Sequence, residues 1–176
     1  VFEFASTSKV TLPGAGISCF ACSESNMEYM CKLIGIQAIS FDKMNQLRHV
    51  KFLQNKEHTL ALMKEHAKIL KPKFDMVVST LEREIAPLGI ATWHKPKGGY
   101  FVSVNTTPGL AKRTLALCKE AGVVMTSAGA TYPYGHDPAD SNIRVAPSLP
   151  PVEELEQAMA VFCCCLKLAA LEKSKK

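Results

Sequence analysis

The sequence predicts an α/β protein in which short strands alternate with helices. Of the 176 residues, 47% are hydrophobic and 21% are charged, which is the balance of a globular chain with a sizeable core. Strand-like apolar runs bounded by turn residues recur along the chain, at residues 1–5, 17–22, 90–95, 99–104 and 141–148. The segments between them carry apolar residues at helical spacing, most clearly over residues 57–88.

The first strand leads directly to a lysine. Phe2 and Phe4 alternate with Glu3, and the strand ends in the hydroxyl-rich run Ser6-Thr7-Ser8-Lys9. Ligands of open α/β sheets gather beyond the carboxyl ends of strands, where a desolvated amine can lose its proton and attack a carbonyl carbon. The hydroxyls, together with the N–H groups of the turn Gly14-Ala15-Gly16, suit an anion such as phosphate. By local pattern alone, however, a lysine in a polar loop is more often a solvated surface residue.

Three helices are predicted after the second strand. Ser23 is placed to cap a helix that ends at Gly35, and Ser40 or Asp42 is placed to cap a helix over residues 43–54. The third helix spans residues 57–88. Pro72 interrupts it, and because proline removes a backbone donor and clashes with the preceding turn, we expect a kink or a restart there. The sequence therefore predicts two domains, residues 1–71 and residues 72–176.

The carboxyl half contains an arginine between two β-branched residues. The order predicted for this half is a hairpin (90–95 and 99–104), a helix that Thr107 caps, a short strand (123–125), a long loop (128–140), a strand (141–148) and a final helix (152–173). In the last strand, Ile143 and Val145 face one side, and Asn142 and Arg144 face the other. Arg144 either lies on a solvated face or, where desolvated, needs an anionic partner such as a carboxylate.

Composition argues against several classes of protein. Residues 172–176, with three lysines and one glutamate, contribute +2 of the net charge of +5, and there is no basic stripe with interleaved aromatics, so we expect no nucleic-acid partner. The longest apolar run, residues 158–166, is too short to cross a membrane. The seven cysteines lack zinc-site spacing, which favours buried thiols in a reducing compartment and no metal site. With no leader pattern, we expect a cytoplasmic protein.

The run Ser6-Thr7-Ser8-Lys9, which follows an apolar strand and precedes a glycine-rich turn, resembles the pyridoxal phosphate lysine segment of fold-type I aminotransferases. The runs Pro96–Phe101 and Asn142–Arg144 come in the order that this family has them, and the resemblance extends from Val1 to about Leu171. The most similar branch is the bacterial aspartate-type group of class I/II enzymes. The implied fold is the end of the large-domain sheet followed by the small α/β domain.

The resemblance also implies roles for individual residues. Lys9 would bind pyridoxal 5'-phosphate as a Schiff base and move a proton at the substrate carbon. Ser6 and Ser8 would contact the cofactor phosphate. Arg144 would hold the substrate α-carboxylate, with Asn142 and Tyr100 also at the substrate. The implied reaction moves an amino group between an amino acid, expected to be acidic and aspartate-like, and a 2-oxo acid, in an enzyme that is a homodimer.

Two departures from the family limit what the chain can do. Many members place an arginine shortly after the lysine to bind the phosphate, whereas residues 10–22 contain neither arginine nor lysine. More of that contact must then come from backbone N–H groups and from residues outside the chain. The cofactor residues that the family carries before the lysine cannot be assigned either. The resemblance thus implies a carboxyl-terminal fragment that is inactive alone.

Other interpretations remain open at this point. Another fold-type I enzyme, such as a lyase or decarboxylase, would share the lysine, and a non-enzymatic α/β binding module would use the hairpin and helices of the carboxyl half. The helix over residues 43–54 also has two interpretations. By resemblance, Lys43, Asn45, Arg48 and His49 could approach the neighbouring subunit and bind an acidic side chain. By pattern, the helix is amphipathic with a charged outer face.

Overall fold

The structure is a computed structural model that describes residues 1–175. It confirms the predicted mixture of helices and strands. The elements are β1 Glu3–Ser6, β2 Ser18–Ala21, α1 Glu24–Gln37, α2 Lys43–Leu53, α3 Lys56–Glu84, β3 Ala91–Trp93, β4 Val102–Thr106, α4 Ala111–Glu120, β5 Asn142–Val145 and α5 Val152–Ser174. The chain divides into two compact units, Val1–His66 and Ala67–Lys176.

The first unit begins with a two-stranded antiparallel hairpin. β1 pairs with β2, so that Glu3 lies opposite Ala21 and Ser6 lies opposite Ser18. The strand predicted over residues 17–22 is present, but the prediction that it is buried is wrong. Each strand of the hairpin has a single partner, and the Phe4 side chain is 71% exposed. The unit therefore presents apolar surface instead of enclosing it.

The helices of the first unit follow the predicted order, with one altered boundary. α1 does not stop at Gly35 but continues to Gln37. A glycine ends a helix by adopting a left-handed backbone, whereas the helix here ends where Ala38 becomes extended. The Asp42 cap is confirmed, since its carboxylate accepts a hydrogen bond from the Asn45 N–H at 2.9 Å.

The long helix α3 contains Pro72 in its interior and runs without interruption from Lys56 to Glu84. The predicted restart at Pro72 is therefore wrong. A proline deletes only one helical hydrogen bond, and the apolar stripe beyond it is well buried, with Val77, Leu81 and Ile85 fully enclosed. The amino-terminal part of the same stripe is exposed, as shown by Leu60 at 47%.

The second unit contains the hydrophobic core of the chain. Its antiparallel sheet has the order β3-β4-β5, which confirms the predicted hairpin and the predicted strand at β5. The predicted strand over residues 123–125 is wrong, because this segment is irregular. The predicted final helix is confirmed as α5. Its inward stripe is buried, namely Leu155, Met159, Phe162, Leu166 and Ala169.

The start of α4 is set by a distant loop. The helix begins at Ala111, so the predicted start at Pro108 with a Thr107 cap is wrong. Asp140 supplies the cap instead: its backbone carbonyl accepts from the Ala111 N–H at 3.0 Å, and its carboxylate accepts from the Lys112 N–H at 3.0 Å. These bonds satisfy amide donors that the first turn of a helix leaves unpaired.

Candidate active site

Lys9 lies in a tight turn just beyond the end of β1, where the sequence predicts it. The N–H groups of Val10 and Thr11 both donate to the Thr7 carbonyl, at 2.8 and 3.0 Å. Lys9 is exposed. Its role in chemistry stays a prediction.

Two hydroxyl groups lie next to this lysine. The Oγ atoms of Ser6 and Ser8 are 2.7 Å apart, and the Ser8 N–H donates to the Ser6 Oγ at 3.1 Å. Both residues are exposed. Gly16 permits this arrangement, because a Cβ at that position would lie 2.8 Å from the Ser8 Oγ. Two neighbouring hydroxyls and an amine are donors that fit the phosphate and carbonyl groups of pyridoxal phosphate.

Side chains from α2 support the same turn. The Nε2 atom of His49 lies 2.8 Å from the Thr11 Oγ1, and the Asn45 side-chain amide donates to the Ala15 carbonyl at 2.8 Å. Sequence reasoning considered both residues either for a charged outer face or for a role toward the neighbouring subunit, and it missed these contacts. The available signal was their spacing, because residues four apart share one face of a helix.

Arg144 lies on β5 in the second unit, opposite Ser103 of β4. The carbon of its guanidinium group is 4.5 Å from the centroid of the Phe101 ring. Its Nε atom is buried and has no hydrogen-bond partner among the described residues. Arg144 also lines a cleft of about 590 Å³ with apolar neighbours that include Met125 and Leu155. Because an unpaired buried donor is costly, this guanidinium suits an incoming anion such as a carboxylate.

Asn142 precedes Arg144 on the strand and is held by structural contacts. Its Nδ2 donates to the Ser103 Oγ at 3.0 Å and to the Asn105 Oδ1 at 2.7 Å, and its Oδ1 accepts from the Thr131 hydroxyl at 2.7 Å. These bonds occupy both amide hydrogens, and the residue is 8% exposed. The substrate contacts predicted for Asn142 and for the half-buried Tyr100 stay predictions.

Asp137 anchors the loop that leads into β5. Its carboxylate accepts from the N–H groups of Asn142 and Ser141, both at 2.8 Å, and of Ala139 at 3.0 Å. The hydrogen bond from Asn142, followed by that from Ser141, holds the pKa of Asp137 below its usual value. Within residues 1–175, no group of three or more His, Cys, Asp or Glu side chains is arranged to hold a metal ion.

Comparison with known proteins identifies the family. The aspartate amino-transferase family profile matches the whole chain, residues 1–176. The chain belongs to the aspartate aminotransferase family. The resemblance predicted from the Lys9 segment is therefore confirmed.

Individual members of the aspartate aminotransferase family show how much of an enzyme the chain represents. It is 47% identical over 171 residues to an aspartate aminotransferase from Corynebacterium glutamicum, covering 97% of this chain but 40% of that protein. It is 46% identical to the solved aspartate transaminase structure from Corynebacterium glutamicum, with a TM-score of 0.90 and coverage of 98% and 41% of the two chains. The chain thus spans about 40% of the length of the curated relatives that it matches.

A more distant structure shares the fold. The alpha-aminoadipate aminotransferase from Thermus thermophilus, solved in complex with N-(5'-phosphopyridoxyl)-L-leucine, is 17% identical with a TM-score of 0.76. This likeness covers 97% of the present chain and 42% of that one. It confirms the predicted fold class, part of an aminotransferase α/β fold.

Proposed function

We propose that this chain is the carboxyl-terminal part of a pyridoxal-phosphate-dependent aminotransferase. The enzyme would transfer an amino group between an amino acid, acidic and aspartate-like, and a 2-oxo acid. Residues 1–71 would belong to the large cofactor-binding domain, and residues 72–176 would form the small domain. The observation that carries the proposal is the turn at Lys9, where the Ser6 and Ser8 hydroxyls lie 2.7 Å apart just before the lysine, in a chain that matches the family along its whole length.

Each residue of the proposed site has a chemical role. The Lys9 amine would bind the cofactor and then move the proton that leaves the substrate α-carbon to the cofactor, which keeps the amino group. The hydroxyls of Ser6 and Ser8 would donate to the phosphate. Pyridoxal phosphate, when bound, supplies an electron sink. The buried Nε of Arg144, with its terminal N–H groups, would bind the α-carboxylate in bidentate fashion, and Asn142 and Tyr100 would lie near the substrate.

The cellular location and the binding partners of the proposed enzyme are inferred from its cysteines, its exposed apolar side chains and its helices. All seven cysteines are free thiols, which supports a reducing compartment and the expected cytoplasmic location. Exposed apolar side chains of the first unit, among them Phe4, Ile36 and Ile39, support burial against other parts of a homodimeric enzyme. Among the described residues, no helix has the length and apolar character needed to cross a membrane. We expect neither nucleic acid nor membrane as a partner.

The proposal is tested on the full-length protein that contains this chain. We expect borohydride treatment with pyridoxal phosphate to fix the cofactor onto Lys9, as read by peptide mapping, and Lys9→Arg to abolish the labelling. Lys32→Arg, a change at an exposed lysine of α1, is the matched control and should label normally.

The same preparation of full-length protein distinguishes an aminotransferase from the two alternative functions. Adding an amino acid should convert the cofactor to its amino form, and a 2-oxo acid should reverse this. Labelling of Lys9 without that reversible conversion would indicate a lyase or decarboxylase. No labelling at all would leave a non-enzymatic binding module. We further expect residues 1–176 alone to be inactive, and turnover of an amino acid by a folded, monomeric 1–176 chain would contradict that expectation.

A further inference from the structure

Within the described part of the first unit, His49 is the one buried residue, with 2% of its surface exposed. Both ring nitrogens have partners: Nδ1 lies 2.9 Å from the Asn45 carbonyl oxygen, and Nε2 lies 2.8 Å from the Thr11 Oγ1. A histidine buried where the unit encloses no apolar side chain is not filling a core. Its burial instead serves its hydrogen bonds.

The partners of His49 fix the direction of these bonds. The Asn45 carbonyl can only accept, so Nδ1 carries a hydrogen and donates to it. In the neutral ring, Nε2 then accepts from the Thr11 hydroxyl. In the charged ring, Nε2 donates to that hydroxyl, which can turn to the Thr7 carbonyl at 3.2 Å. The ring is thus bonded to Thr11 in either protonation state.

These bonds hold the turn that contains Lys9 on both flanks. Thr11 follows the lysine, and its N–H and hydroxyl both lie within hydrogen-bond distance of the Thr7 carbonyl, at 3.0 and 3.2 Å. Thr7 precedes the lysine and is fixed to Ile17, since its N–H donates to the Ile17 carbonyl at 2.9 Å and its Oγ1 accepts from the Ile17 N–H at 3.0 Å. The chain of contacts therefore runs from His49 through Thr11 and Thr7 to Ile17, the residue that directly precedes β2.

We propose that His49 is a positioning residue for Lys9: through Thr11 it fixes the turn from which the lysine amine reaches the cofactor. The inference rests on the function proposed above for Lys9. A long lysine side chain reaches a defined point only when its backbone is held, because loss of a supporting bond spreads the amine over many positions. The neighbouring bond from Asn45 to the Ala15 carbonyl supports the same loop from the same helix.

The test uses the full-length protein and changes Thr11, because valine has the shape of threonine without its hydroxyl and serine keeps the hydroxyl. Thr11→Val removes the hydroxyl, Thr11→Ser keeps it, and His49→Phe removes the imidazole. His58→Gln, at an exposed histidine of α3, is the control. Three quantities are measured: amide hydrogen exchange at Val10, pyridoxal phosphate affinity, and the visible circular dichroism of bound cofactor per unit of absorbance.

We expect Thr11→Val to speed exchange at Val10 and to weaken cofactor affinity, each by about fivefold, the equivalent of one lost hydrogen bond. The visible dichroism should fall as the cofactor is held less rigidly, a change that a purely structural role would not cause in folded protein. Thr11→Ser and His58→Gln should match the wild type. Should His49→Phe fail to fold, Thr11→Val carries the test.

A folded Thr11→Val protein with wild-type exchange at Val10 and wild-type dichroism would overturn the inference. If Lys9 of the wild-type protein takes up no cofactor, this result would overturn the proposed function alone. In that case the exchange rate at Val10 still decides whether His49 holds the turn. Failure of the inference about His49 can therefore be distinguished from failure of the function proposed for Lys9.

Discussion

The guanidinium carbon of Arg144 lies 4.5 Å from the centroid of the Phe101 ring. Pairing of β4 with β5 produces this contact, because Arg144 is opposite Ser103 and Phe101 directly precedes β4. The ring covers one face of the guanidinium, while the buried Nε has no partner among the described residues. The arginine is thus oriented by an aromatic ring and keeps a donor available for an anion.

Replacing Arg144 should impair use of the amino acid substrate. In the full-length enzyme, we expect Arg144→Gln to lower kcat/KM by about a hundredfold, because a carboxylate would lose a charged, bidentate partner. The control is Arg113→Gln, which removes the same charge from an exposed arginine that pairs with Glu172. Equal effects of the two variants on steady-state kinetics would contradict the assignment.

Phe101 should affect substrate binding through Arg144. We expect Phe101→Leu to raise KM by about threefold to tenfold, the equivalent of a partly desolvated cation–π contact, with kcat little changed. Phe101→Tyr keeps an aromatic ring over the guanidinium and should keep the wild-type KM. A KM for Phe101→Leu that equals the wild-type value would show that the ring does not orient the arginine.

Asp137 should make stability depend on pH at the acid end. Its pKa in the folded protein is lowered by hydrogen bonds from backbone N–H groups, chiefly that of Asn142. The stabilisation is therefore fully present above the ordinary aspartate pKa of about 3.9, and it is lost as the pH falls through the lower folded-state value. We expect Asp137→Asn to lower Tm at pH 7, with a smaller difference at pH 3. A constant difference in thermal melts at both pH values would refute this linkage.

The two adjacent cysteines Cys163 and Cys164 should differ in reactivity. Burial is the main cause that raises the pKa of Cys163 to about 11, whereas the side chain of Cys164 is exposed. At pH 8 a thiol with this pKa has about a hundredfold less thiolate than an ordinary thiol, and thiolate is the reactive form. We expect iodoacetamide to label Cys164 long before Cys163, as resolved by peptide mass spectrometry. Labelling of both at one rate in native protein would be the contrary result.

The apolar residues along α3 should contribute unequally to the free energy of unfolding. In the chain of residues 1–176, we expect Leu81→Ala to reduce the free energy of unfolding by about 2–5 kcal/mol, because Leu81 is fully enclosed in the core. Leu60→Ala, on the exposed part of the same stripe, should cost less than about 1 kcal/mol. Urea denaturation followed by circular dichroism measures both, and similar losses would contradict the burial pattern.

Local pattern was sufficient for the helices and for most of the strands, but not for the strand predicted over residues 123–125 or for all of the boundaries. The strand before Lys9, the hairpin of the carboxyl half and the stripe of α5 were all predicted, because their periodicity reflects contacts between residues close in the chain. Gly35 and Pro72 were interpreted as breaks, yet α1 and α3 continue through them. A single unfavourable residue in a helix is tolerated when the turns on either side keep their hydrogen bonds.

The sequence by itself determined that a lysine follows a strand end among hydroxyls, that Asn142 and Arg144 share one strand face, and that the chain resembles its family. Only the tertiary structure decided where α4 begins, because its cap comes from Asp140, 28 residues away from Lys112. It also decided that His49 is buried against the Lys9 turn and that Phe101 covers Arg144. The physical reason is that periodicity records neighbours along the chain, whereas caps, burial and ring contacts join residues that meet only after folding.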